Sequence, residues 1–412
     1  MRIVHTSDWH LGRNFGPVSL LEDQRAFCQW LTEWSIAEGI DLVIVAGDIY
    51  DRAIPPVEAI ELFTSTVKAL TEAGIVVAAI TGNHDAADRV APYLSLMESS
   101  RFYLRGGYRQ IGEVIPLNFD DGPLDLALLP YLEPRSAPDD FGFNQDSADH
   151  HETDYEANDA NLALNTAEQD DTLVKRRLAR THAEVMRTSL KLIRFRLNAP
   201  RSVVVAHAFV TGGSASDSER QLVVGGTGEV PVELFEGFSY AALGHLHRPQ
   251  NIGSTARVRY CGTPLAYSFS EEHEKSVSVI DLNSDGTLEA EQVAVPVGRG
   301  VVTLSGEIDD LLTNQAYLHA EACFLRAIVT DRATVFNAKA KLAARFPHVI
   351  EVQLRPEGNL PNFAQHQPQF AQSTPLQVAS EFWRNVEGEA PSISTLELLT
   401  SAVEAATSNE AR

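Results

Sequence analysis

Leu42-Val43-Ile44-Val45-Ala46-Gly47-Asp48 runs five apolar residues into a glycine and then a carboxylate. An unbroken apolar run of this length, β-branched at its centre, fits a strand covered on both faces, as parallel strands of α/β sheets are. The glycine lets the backbone turn sharply and brings Asp48 to the sheet edge. Four further stretches repeat the design. Ile3-Val4 leads to Asp8-Trp9-His10, residues 75–80 lead to Gly82-Asn83-His84-Asp85, Val203-Val204-Val205-Ala206 to His207, and Ala241-Ala242-Leu243 to Gly244-His245-Leu246-His247. Residues able to bind a metal thus recur where buried strands end, the edge at which α/β sheets gather ligands.

Outward from these stretches, residues 2–130 alternate strand-like and helix-like segments. Helical periodicity is clearest over 20–37 and 57–73, and shorter strands are expected at 111–115 and 124–129. This alternation predicts right-handed crossovers and a largely parallel or mixed sheet. Residues 136–171 are acidic and poor in apolar side chains, which reads as a surface insertion without a core of its own. Residues 174–197 turn helical and basic, with Lys175, Arg176, Arg177, Arg180, Arg187, Lys191, Arg194 and Arg196 against Glu184. A solvated helix face is the favoured reading, a phosphate-contacting helix the sharper one. Closing strands are expected at 258–261 and 277–282. After Pro296, strands at 301–304, 323–330 and 349–354 with a helix at 335–345 suggest a small α+β domain. Residues 357–373 read as a Gln/Pro/Asn-rich linker. Two helices, 376–386 and 394–406, end the chain.

The chain has 412 residues, 44% of them hydrophobic, enough for one large domain and a smaller one. No apolar leader precedes the strand-like sequence at Arg2, and no run is long enough to span a bilayer, so a cytoplasmic protein without membrane contact is expected. Cys28, Cys261 and Cys323 are odd in number and far apart, which fits reduced thiols. The net charge is −23, of which residues 136–174 supply 11 acids and no base. A focused electropositive site or bound cations would still attract phosphate, so overall charge excludes little.

The donor set is Asp8, His10, Asp48, Asn83, His207, His245 and His247. Mixed nitrogen and oxygen ligands without thiolate suit Mn²⁺, Fe²⁺ or Zn²⁺. Seven donors exceed the needs of one ion. With Asp48 bridging they give about four bonds to each of two, the arrangement that drives in-line phosphoryl displacement. His84 adjoins Asn83, so its ring is expected to point away from the ligands, free to protonate a leaving oxygen. His5 reads as a core or surface residue, Trp9 as packing, and Asp85 and Arg89 as orienting or capping groups. His150, His151, His182, His273, His319, His348 and His366 have no such context.

Asp-x-His, Gly-Asp-Ile-Tyr-Asp, Gly-Asn-His-Asp, a lone His and Gly-His-x-His together resemble the calcineurin-like metallophosphoesterases over roughly the first 265 residues. Residues 5–12, Gly47-Asp48-Ile49-Tyr50-Asp51-Arg52 and Gly244-His245-Leu246-His247-Arg248-Pro249-Gln250 look like the bacterial SbcD nuclease subunits. So do Gly212-Gly213 with residues 216–220, and residues 261–265 with 267–271. The resemblance implies an α/β sandwich of mixed β-sheets flanked by helices, spanning 1–295 with the 136–171 insertion. It implies a small α+β capping domain at 296–356, a linker at 357–374, and a helix pair at 375–407 that grips an SbcC-type, SMC-like ATPase. Two Mn²⁺ ions are implied: Asp8, His10 and His247 on one, Asn83, His207 and His245 on the other, Asp48 between them, and His84 as the catalytic histidine that binds neither. Where archaeal and eukaryotic relatives carry a second histidine, this chain has Asp51, which receives no catalytic role.

The expected activity is therefore Mn²⁺-dependent DNA cleavage in repair, replication and recombination. The exonuclease acts on duplex ends with ATP consumed by the partner, the endonuclease on hairpins and single strands. A homodimer within a heterotetramer, associated with the nucleoid, is the expected assembly. The rivals are a phosphodiesterase of small molecules or cyclic nucleotides, a phosphoprotein phosphatase, and a non-catalytic tether for the ATPase.

Overall fold

The computed structural model describes residues 1–87, 100–138, 141, 181–216, 219, 228–355, 374–387 and 390–409. Arg89, most of the acidic segment, the basic residues 174–180, the linker 357–373, and His150, His151 and His366 lie outside the described residues. The chain divides into two compact units. One comprises Met1–Leu304, Asn314–Ala327 and Lys339–Glu351. The other comprises Ser305–Thr313, Ile328–Ala338 and Val352–Arg412.

The first unit is built on two six-stranded sheets. In the first, the order is Leu288–Ala294, Ser276–Leu282, Arg2–Thr6, Leu42–Ala46, Val76–Ile80, Phe102–Arg105. The last four run parallel, while the two at the other edge pair antiparallel. The second sheet orders Gln250–Asn251, Val258–Tyr260, Tyr240–Gly244, Ser202–His207, Gly122–Leu129, Ile115–Phe119, again parallel at the centre and antiparallel at both edges.

Side-chain alternation sorts the strands into layers. Leu42, Ile44 and Ala46 face inward and join Val203, Val205, Tyr240 and Ala242 in a core between the sheets. Their neighbours Val43 and Val45 face outward and lie under the helices Leu21–Ala37 and Val57–Glu72, against Phe27, Leu31, Leu62, Phe63 and Leu70. On the far side, Met186, Leu190 and Ile193 of helix His182–Arg194 cover Ala127, Leu129, Val204 and Ala206. The result is the helix-flanked sandwich of mixed sheets that the sequence led us to expect. Every residue of Leu42–Ala46, Val76–Ile80 and Tyr240–Gly244 is buried. At about 1.5–3 kcal/mol for each large apolar side chain, these strands contribute much of the fold's stability.

Several elements differ from expectation, among them Phe102–Arg105 and Gln250–Asn251, edge strands of the two sheets that were not anticipated. The shorter strand spans Ile115–Phe119, not 111–115, and pairs with Gly122–Leu129 as a hairpin. Gly112, at φ 87°, turns the chain where the strand was expected. Leu288–Ala294, an edge strand with charged residues facing solvent, was not anticipated. Beyond residue 300, Val301–Gly306, Phe324–Val329 and Val349–Leu354 form a three-stranded sheet. The second unit holds helices Pro375–Glu387 and Ile393–Asn409, which pack on each other. Among the described residues no helix is long and apolar enough to cross a membrane.

Candidate metal centre

Thr6, Ala46, Ile80, His207 and Gly244 end the parallel strands, and the turns that follow them meet at one edge of the sandwich. These turns are tight. Asp8, His10, Asp48 and His245 all take positive φ, at 53°, 44°, 46° and 109°. Such conformations cost non-glycine residues about 1–3 kcal/mol each and persist only where the surroundings enforce them. Ladder-like backbone bonds supply that enforcement: Asp8 N to the Gly47 carbonyl at 2.9 Å and His10 N to the Asp48 carbonyl at 3.0 Å. The motif glycines permit the close approach. A Cβ on Gly82 would lie 2.1 Å from Asp48 Oδ1, and one on Gly47 would lie 2.2 Å from His207 Nδ1.

The seven donors converge. Asp8, His10 and His247 place donor atoms within 4.8 Å of one another, as do Asp8, Asp48 and His207. Asn83 Oδ1 stands 2.9 Å from His207 Nε2 and 3.2 Å from His245 Nδ1. Asp48 Oδ2 is 3.8 Å from His10 Nε2 and 3.6 Å from His207 Nε2. Spacings of about 3–4 Å are those of ligands sharing an ion at roughly 2.0–2.2 Å. His84 departs from expectation. Its ring stays beside the cluster, 4.8 Å from the His10 ring centroid, and groups with His10 and Asp48. The reason is a local anchor: Nδ1 donates to the Asp51 carbonyl at 2.8 Å.

Buried donors without partners test whether a cation fits. Asp8 Oδ1 and both ring nitrogens of His10 are buried with no hydrogen-bond partner. Unpaired buried polar atoms are costly and rare, so a cation among them resolves an otherwise unfavourable cluster. His207 sharpens the point. Its Nδ1 lies 2.9 Å from the Ala46 carbonyl and therefore carries the proton. Nε2 then presents a lone pair to the oxygens of Asn83 and Asp48. Burial lowers the basicity of His207, so a second proton is disfavoured. Burial and then neighbouring imidazoles press His10 and His245 well below their ordinary range. Asp8 moves the other way, raised by burial and by Asp48. Neutral imidazoles with free lone pairs around crowded carboxylates suit a cation.

The calcineurin-like phosphoesterase family matches residues 1–249. The SbcD chain of the SbcCD nuclease from Escherichia coli K12 is 30% identical over 310 residues, 75% of this chain and 72% of that protein. The chain of the same name from Staphylococcus epidermidis is 26% identical over 353 residues, covering 85% and 84%. The chain belongs to the SbcD family of calcineurin-like phosphoesterases. A solved structure, TT1561 of Thermus thermophilus, aligns with 71% of this chain and 98% of that one at 14% identity and a TM-score of 0.33, a likeness too weak to bear on the assignment.

As in a metallophosphoesterase, the histidine and aspartate cluster is a divalent-metal site. Supporting groups around it escaped the sequence or were only half seen. Asp85, read as an orienting or capping residue, accepts from the backbone N–H of Ile49, Tyr50 and Gly82 at 3.1, 2.9 and 2.8 Å. It thereby straps the Gly-Asp turn to the Gly-Asn-His-Asp turn, and burial with Asp48 nearby raises its carboxyl to about 7. Glu219 Oε1 accepts from His247 N at 2.7 Å. Trp9 is buried edge-on against Phe27 and Phe63 and acts in packing. His5 is buried and paired with Tyr240 Oη at 2.7 Å. Of the basic residues in this region that are described, Arg194 donates to the carbonyls of Leu234 and Glu236, and Arg196 to that of Gly112.

Proposed function

We propose that this phosphoesterase is the nuclease subunit of a complex with an SbcC-type ATPase and cleaves DNA phosphodiesters with two divalent cations, Mn²⁺ by preference. One observation carries the reading. Asp48 Oδ2 lies between His10 and His207, at 3.8 and 3.6 Å, with Asp8 and His247 beside the first and Asn83 and His245 beside the second. Asp8, His10 and His247 would hold one ion, Asn83, His207 and His245 the other, and Asp48 both. Held by these residues, two divalent ions would supply the Lewis-acid chemistry of an in-line phosphoryl displacement.

This chain's own residues do the rest. With Nδ1–H of His84 committed to the Asp51 carbonyl, Nε2 is the nitrogen left to face the substrate, and only the imidazolium, protonated at both nitrogens, would protonate the leaving oxygen or donate to a phosphoryl oxygen. Asp51 works through that carbonyl, while its carboxylate is 3.3 Å from Arg13. The shared name of the E. coli and S. epidermidis relatives, a nuclease subunit, supports a partner subunit and a nucleic-acid substrate. Residues 296–356 would direct DNA, the helices after 375 would dock the ATPase, and the complex would be a heterotetramer around a homodimer of this chain. Exonucleolysis of duplex ends would use ATP hydrolysed by the partner, with hairpins and single strands cut endonucleolytically, on the nucleoid in the cytoplasm.

The purified chain with Mn²⁺ should degrade linear DNA, and chelation should stop it. His84→Ala should slow cleavage about 10²–10⁴-fold while bound metal stays constant. Hydrolysis of cyclic nucleotides without DNA cleavage would assign a small-molecule phosphodiesterase instead. Metal binding without hydrolysis of any diester would leave only a tether.

A further inference from the structure

The loop from Cys261 to Lys275, between strands Val258–Tyr260 and Ser276–Leu282, wraps one side of the Asp8–His10–His247 group. Thr263 N bonds the His247 carbonyl at 3.1 Å, and the Tyr267 ring lies 5.3 Å from that of His10 and 5.8 Å from that of His247. Within this loop stands Glu271, which the sequence marked only as part of a family resemblance. Its side chain is almost completely buried, at 1% exposure. A buried carboxylate needs partners, and here each oxygen has them. Oε1 is 3.2 Å from His247 Nδ1. Oε2 accepts from Thr263 Oγ1 at 3.1 Å, from Tyr267 N at 3.4 Å and from Lys275 Nζ. Burial opposes its charge, but the hydrogen bond from His247 and the Lys275 ammonium hold the carboxyl well below the usual range.

We propose that Glu271 is a positioning residue for His247, fixing its proton on Nδ1 and its ring plane so that Nε2 is presented to the ion shared with Asp8 and His10. The proposal rests on the two-ion reading above. A carboxylate behind a metal-bound imidazole fixes the tautomer and makes the ring a stronger donor. Glu219 adds a second restraint by holding the His247 backbone N–H at 2.7 Å. His207 is held differently, by the Ala46 carbonyl at 2.9 Å. A neutral carbonyl enriches a ring less than a carboxylate does. The two ions are thus supported by different chemistry, and loss of Glu271 strikes only one of them. Lys275 neutralises the buried carboxylate without reaching a ligand atom, so the Glu271–Lys275 pair acts as a single unit behind His247.

Mn²⁺ titrated calorimetrically into the metal-free full chain tests this, with Asp8→Asn and Glu271→Gln in parallel. Glu271→Gln keeps the size and an accepting oxygen but removes the charge. We expect one of two Mn²⁺ sites to weaken about 10–100-fold while the other keeps its wild-type affinity. Glu271→Asp, too short to reach across 3.2 Å, should not restore it. Should Glu271→Gln lose its native circular dichroism, Glu271→Gln with Lys275→Met, which removes the stranded cation, takes its place. If Asp8→Asn loses one ion while Glu271→Gln binds both as wild type, the positioning role is overturned and the ligand scheme stands. If Asp8→Asn still binds two ions with unchanged affinity, the ligand scheme fails and this proposal with it.

Discussion

Gly244 shows how closely the centre is fitted together. A Cβ there would lie 1.7 Å from the Ala46 carbonyl oxygen and 2.9 Å from His207 Nδ1. Neither neighbour can yield: Ala46 is the last residue of its strand, and its carbonyl also orients His207. Gly244→Ala should therefore push the ends of the two sheets apart. We expect it to cost about 2–4 kcal/mol in urea unfolding of the metal-free chain and to weaken Mn²⁺ binding together with it. Wild-type stability with wild-type metal affinity would show that the two strand ends do not approach as described. At this scale the side chains that the structure gathers were legible in the sequence, because each motif couples a potential donor to a glycine or a strand end. The sequence names their supports poorly. Glu271 and Glu219 are acids in loops with no period and no spacing to distinguish them. The His84 ring was misjudged because adjacency to Asn83 says nothing about the Asp51 carbonyl, which comes from a different turn.

At the scale of elements, His5 links the two sheets. It leaves strand Arg2–Thr6 of the first sheet and bonds Tyr240 Oη at 2.7 Å and the Leu243 carbonyl at 3.2 Å in the second. Burial, with Arg259 nearby, pushes its ring down to about 3. The folded value lies below the unfolded one of about 6.5, so folding favours the neutral ring. Its contribution is complete above pH 6.5 and is lost as pH falls toward 3, at about 1.4 kcal/mol per unit. Other buried histidines act in the same direction, so the difference between wild type and His5→Asn isolates this one. Urea midpoints of the metal-free proteins at pH 7.5, 6 and 5 should fall less steeply for His5→Asn. Parallel declines would mean that His5 is not held neutral between the sheets. The central strands were legible because both faces are apolar, and helices 21–37 and 57–72 because one face is. Leu288–Ala294 was not, since an edge strand that alternates charged residues with small ones imitates a loop.

At the scale of the whole molecule, every donor assigned to the two ions lies in the Met1–Leu304 part of the first unit, whereas the last helices belong to the second. The sequence set two signals between these regions, the change of pattern after Pro296 and the Gln/Pro-rich stretch at 357–373. It could not show that residues 305–313 and 328–338 cluster with the second unit while their neighbours cluster with the first, because such a division depends on contacts distant in sequence. The last helix carries exposed apolar side chains: Ile393 is 82% exposed, Leu398 72% and Leu396 41%. Exposed large apolar groups on a helix are the material of a docking face for another helix surface. Deleting residues 374–412 should then abolish binding to the proposed ATPase partner, measured by co-purification. Because no donor is removed, Mn²⁺ stoichiometry and metal-dependent hydrolysis of a simple phosphodiester should stay within about twofold of wild type. Retained partner binding would overturn the docking role, and loss of bound Mn²⁺ would mean that the metal centre needs this end of the chain as well.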